Sequence, residues 1–134
     1  MRGMFAVLAA CLLVLCFSGC QQAKPKKITC ADVIAAYEDA GYEVFYSDSV
    51  TEGATWLCYV SAEKQDSGET VYFYFFEENA AAQTYAESRQ WNVVLWLYSF
   101  AMSDPIWVST KTYGNIAYEY TDSDLIEPFN HLIK

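Results

Sequence analysis

The sequence predicts a single small α+β domain over residues 30–134, an antiparallel sheet of about four to five strands with helices packed on it. Three observations predict it. Apolar residues recur at helical spacing directly after a capping sequence at 29–32. Two pairs of short runs rich in β-branched and aromatic residues are each joined by a turn-forming stretch, the pattern of hairpins. The length supports one hydrophobic core and no second one.

The first helix is expected at 30–40. Thr29-Cys30-Ala31-Asp32 has the form of a capping box with aspartate in the third position, and Cys30, Val33, Ile34, Tyr37 and Ala40 follow at helical spacing. Gly41 stands where such a helix would end. A strand is expected at 42–46 and a polar loop at 47–53. Residues 55–63 and 69–76 then read as a hairpin across Lys64-Gln65-Asp66-Ser67-Gly68. Its second strand, Val71-Tyr72-Phe73-Tyr74-Phe75-Phe76, is aromatic on both faces and so is expected in a central position with at least one face covered.

Glu77-Glu78-Asn79 opens the next helix, with carboxylates near the end where the helix dipole favours them; Ala82, Tyr85 and Ala86 form its inner face. Residues 91–102 admit two readings, a buried strand through Val93-Val94-Leu95-Trp96-Leu97-Tyr98 or more helix. The polar stripe of Arg89, Asn92, Ser99 and Ser103, broken only by Trp96, favours helix. Asp104-Pro105 stops it, because proline disfavours helical geometry in the residue before it. A second hairpin is expected from 106–112 and 116–120 across Tyr113-Gly114-Asn115. Asp122-Ser123-Asp124 leads into a closing helix with Leu125, Phe129 and Leu132 on one face and Pro128 confined to its first turn.

Ahead of the domain, Arg2 is the only charge before Lys24, and residues 5–17 are an unbroken apolar run. That is the length of a secretory h-region and short of the roughly twenty residues a spanning helix needs. The run ends in Phe17-Ser18-Gly19-Cys20, which resembles the lipobox of bacterial lipoproteins and departs from it at Phe17, where leucine is commonest. The resemblance implies that residues 1–19 are a lipoprotein signal peptide, that Cys20 becomes the acylated first residue, and that 20–29 are a tether. It places the protein on the extracytoplasmic side of the cell membrane, or at the outer membrane in a host that has one. Leu8-Ala9-Ala10-Cys11 fits the small-residue rule better but leaves too little apolar chain upstream. An uncleaved signal anchor is the other reading, and it alters the localisation little.

The tether carries Lys24, Lys26 and Lys27, which either touch anionic headgroups or simply solvate a linker. At about 3.5 Å per residue it holds the domain within roughly 30 Å of the bilayer. From Cys30 onward only Lys64, Arg89, Lys111 and Lys134 oppose all seventeen acids, four against seventeen, a net charge of −13. Binding of nucleic acid, which depends largely on neutralising phosphates, is not expected of such a domain.

Few residues suggest chemistry. With Cys20 acylated, Cys30 and Cys58 are the domain's thiols, expected on inner faces either as a disulfide or as two reduced thiols. His131 is the sole histidine, which excludes a two-histidine metal site, and it reads as a surface residue of the last helix. Asp122 and Asp124 resemble the start of a calcium loop without its glycine and distal glutamate, and helix capping explains them. No hydrolase, metalloprotease or phosphate-loop motif occurs, and no catalytic residue or cofactor is expected.

The unusual feature is aromatic content, 17% of the chain with eleven tyrosines. Tyrosine and tryptophan combine an apolar face with a polar tip, suited to protein interfaces and to stacking on sugars. Trp56, Tyr59, Tyr72, Tyr74, Trp96, Trp107, Tyr113, Tyr118 and Tyr120 qualify by type, most of them needed for the core. Trp96, Trp107 and Tyr113 are the expected binding surface. The function expected is a non-catalytic binding or protein-interaction module at the cell envelope, with a protein or glycan partner. The alternative is a small envelope hydrolase using carboxylates such as Glu119 or Asp104.

Overall fold

The structure, a computed structural model, describes residues 25–49, 53–99 and 108–134, and of residues 91–99 the backbone only. The signal peptide, Cys20, Asp104 and Trp107 lie outside the described residues. Helix α1 (Cys30–Asp39) starts at the capping box read from the sequence. Thr29 Oγ1 accepts from Asp32 N at 3.3 Å, and Thr29 N donates to Asp32 Oδ2 at 2.8 Å. The helix closes in a Schellman motif, with Gly41 N donating to Glu38 O and Tyr42 N to Tyr37 O. Gly41 takes the left-handed conformation this needs, at φ 81°.

Five strands follow: β1 (Glu43–Ser47), β2 (Cys58–Glu63), β3 (Thr70–Phe75), β4 (Ser109–Tyr113) and β5 (Ile116–Tyr120). They form one antiparallel sheet in the order β1-β2-β3-β5-β4, so the aromatic strand β3 is central, as its sequence requires. Between β3 and β4 runs α2 (Asn79–Ser99), a single unbroken helix that resolves 91–99 in favour of helix. After β5 a 3₁₀ turn, Ser123–Ile126, leads into α3 (Glu127–Ile133). Pro128 sits in the first turn of α3, where its missing N–H is not needed. Asp122 Oδ1 accepts from Asp124 N at 2.9 Å, the capping role expected of the pair.

The two faces of the sheet are treated differently. One is sealed by α1, the 3₁₀ turn and α3: Val60, Ala62, Val71, Phe73, Phe75, Ile116 and Tyr118 meet Val33, Tyr37, Leu125, Ile126 and Phe129. Phe73 is the hub, its ring 5.3 Å from Tyr37, 5.0 Å from Phe129 and 5.9 Å from Tyr118. Tyr37 is fully buried, and its hydroxyl is satisfied by Leu125 O at 2.8 Å. Lys26 Nζ reaches Leu132 O at 3.0 Å, bringing the chain's entry into the domain beside its exit.

Among the described residues, helix α2 packs on the other face chiefly over β4 and β5, with Tyr85 reaching Tyr74 at the edge of β3. Ala82, packed with Phe76 and Ala117, and the buried Ala86 are small enough to seat it. Every residue of β5 is therefore buried, whereas the β1–β2–β3 half of this face keeps exposed side chains.

Candidate functional site

The candidate site is that half, which no helix covers among the described residues. Side chains alternate across a strand, so the pairing register decides which residues share the face. Phe45 lies opposite Ser61, Ser61 opposite Tyr72, and Tyr72 opposite Glu119; in the next row Ser47, Tyr59, Tyr74 and Ala117 are aligned. The result is an aromatic shelf. Phe45 is 58% exposed and Tyr72 39%, while Tyr59, Tyr74 and Trp56 are half-buried.

The rings are in mutual contact. Phe45 and Tyr59 are 5.9 Å apart, Tyr59 and Tyr74 6.3 Å, and Tyr72 stacks on Tyr74 at 6.5 Å with 18° between planes. Tyr74 also meets Trp56 at 5.1 Å and Tyr85 of α2 at 5.0 Å. Helix α2 thus forms a wall along one side of the shelf, made of Tyr85 with the Arg89 guanidinium 5.9 Å from its ring. At the far rim Glu43 faces Glu63 across the β1–β2 pair, both exposed.

The wall is held by an ion pair between the half-exposed Arg89 and the buried Glu119. Arg89 Nε donates to Glu119 Oε1 at 2.7 Å and Nη2 to Oε2 at 3.3 Å, and Tyr85 Oη donates to Oε1 at 3.4 Å. Glu119 is 4% exposed, and no buried side-chain polar atom among the described residues lacks a partner. Glu119 holds the Arg89 guanidinium even more firmly protonated than usual. Burial first, then the neighbouring Glu119 carboxylate, pushes the Tyr74 phenol up. Burial, followed by Tyr74 and Glu119, does the same to Tyr85. Both therefore present neutral hydroxyl groups at neutral pH. The arrangement offers flat apolar surface with polar tips, and its one central carboxylate is already bound by Arg89.

Of the surface residues expected from the sequence, only Tyr113 has a described side chain, and it falls elsewhere. Tyr113 is half-buried, its ring edge-on to Phe129 at 6.1 Å, because it pairs with Ile116 and so points to the face sealed by α3. It belongs to the core side. Trp96 stands in α2 where only the backbone is described, and Trp107 is outside the described residues. His131 is exposed on α3, 3.8 Å from Glu127. Cys30 and Cys58 meet, their sulfurs 2.7 Å apart. Phe45 was absent from the sequence-derived candidates, and Tyr72 and Tyr74 qualified by type alone. The signal that could have found the last two is their shared parity against Val71, Phe73 and Phe75.

Among the described residues no three potential ligands cluster to hold a metal ion, and no helix is long and apolar enough to cross a membrane. In comparisons with known proteins the chain matches no family model, no curated protein and no solved structure.

Proposed function

We propose that this chain is a lipid-anchored, extracytoplasmic, non-catalytic interaction module whose aromatic shelf docks a protein with a basic surface. The observation that carries this is the open half-face of Phe45, Tyr59, Tyr72 and Tyr74 on an otherwise sealed sheet. Exposed rings in mutual contact, rimmed by polar residues, form the kind of patch that marks an interaction site. The resemblance of residues 17–20 to a lipobox supports anchoring through Cys20 and a site at the envelope. The charge of −13 and the Glu43 and Glu63 carboxylates at the rim favour a cationic partner over an anionic polymer.

The test places a photoreactive amino acid at Tyr72 or Phe45 of the full chain in living cells, with the exposed His131 of α3, on the opposite side of the sheet, as control. A protein adduct from the two shelf positions that is absent from the control, and lost at high salt, is the expected result. Adducts of cell-wall glycan alone would replace the protein partner with a glycan. Equal labelling from all three positions would sink the shelf as a binding surface.

A further inference from the structure

We infer that Cys30 and Cys58 are joined as a disulfide in the mature protein. The two residues are twenty-eight apart in sequence, and the fold brings them together from different elements. Cys30 is the first residue of α1, placed by the capping box one position before it. Cys58 is the first residue of β2, paired with Phe75 on the face that α1 covers. Their sulfurs stand 2.7 Å apart, closer than unbonded sulfurs rest and only slightly beyond the about 2.05 Å of a covalent bond. Both side chains are half-buried, so an oxidant can reach them while the surrounding packing holds them in place.

The reaction is thiol–disulfide exchange. One of the two sulfurs attacks an external disulfide, releasing one of its thiols and forming a mixed disulfide. The second sulfur then displaces the remaining thiol. Two S–H bonds are lost and one S–S bond forms, and the external disulfide takes up both electrons and both protons as two thiols. The oxidant is any protein or small-molecule disulfide of the extracytoplasmic space, so in the cell the inference rests on the proposed export of the chain.

The test is made on the full chain isolated from membranes into a thiol-alkylating reagent without reduction. Mass spectrometry is expected to show a peptide pair linked through Cys30 and Cys58, with neither residue alkylated, and the acyl group on Cys20 is read from the same sample. An acylated chain with both thiols alkylated, or with either bonded to another protein, overturns the disulfide and leaves the anchor standing. Should the chain prove unacylated and intracellular, the anchor reading fails, and the purified reduced chain is treated with glutathione disulfide instead. Closure to the linked pair then supports the inference, and stable glutathionylation without closure overturns it. Reduction of the linked protein is expected to lower Tm by more than about 10 °C. A Cys30→Ser/Cys58→Ser variant should melt near the reduced protein and be unaffected by reductant; an unchanged Tm on reduction would mean that the link does not brace the fold.

Discussion

Single side chains carry unequal shares of this molecule. Phe73 touches three other buried rings, so Phe73→Ala should cost about 3–5 kcal/mol in urea unfolding, while Phe45→Ala on the shelf should stay within about 0.5 kcal/mol. A shelf substitution that unfolds the protein would show that these rings serve the core. Glu119 and Arg89 are unequal partners, one buried and the other about half exposed. Arg89→Ala strands a carboxylate under α2 and should cost about 1–3 kcal/mol; Glu119→Gln, which keeps a neutral hydrogen-bonding group there, should cost less. A double-mutant cycle measures the coupling, and strict additivity of the two substitutions would show that the pair contributes nothing.

Elements whose limits are set by local chemistry were legible in the sequence. Helix α1 is bounded by Thr29, Asp32 and Gly41, all within its own turns, and β3 announces its central place by being apolar on both faces. The half-open shelf was not legible, because it depends on where α2 lands after leaving β3, a contact between segments far apart in the chain. Tyr113 shows the same limit at one residue's resolution. Read as part of a turn it had no fixed face, but β4 extends through Tyr113 and the turn shrinks to Gly114-Asn115, which fixes it inward. Two predictions belong to this scale. Gly114 sits at φ 55°, and a Cβ there would meet only Asn79 Oδ1 at 3.9 Å, an ordinary contact, so Gly114→Ala should destabilise by about 1–2 kcal/mol through conformation, with Gly114→Asn nearer to wild type. The Asp32 carboxyl is held below its ordinary range by hydrogen bonds from Thr29. Its contribution to stability is thus present above the ordinary aspartate pKa of about 3.9 and lost as pH falls through the lower folded value. The stability gap between wild type and Asp32→Ala should narrow over that acid window, and a gap unchanged down to about pH 2 would contradict the capping account.

For the molecule as a whole, a net charge of −13 on one small core means self-repulsion. Tm should rise between about 0.01 and 0.15 M salt, as the Debye length falls from about 30 to 8 Å, and a flat response would show that the acids are already compensated. The position of Cys30 has a mechanical consequence. The chain enters the domain at Ile28, which is buried, and two residues later comes the cysteine that meets the sheet at Cys58. If Cys20 is held in a bilayer and a partner pulls on the shelf, the load path runs along the tether, into Cys30 and, through sulfur, directly into β2. That strand is hydrogen-bonded on both sides, to β1 and β3. The cross-link would carry the load past α1, and the helix would not be peeled turn by turn from the sheet. Single-molecule pulling through the N-terminus should therefore find a rupture force that drops when the sulfurs are reduced.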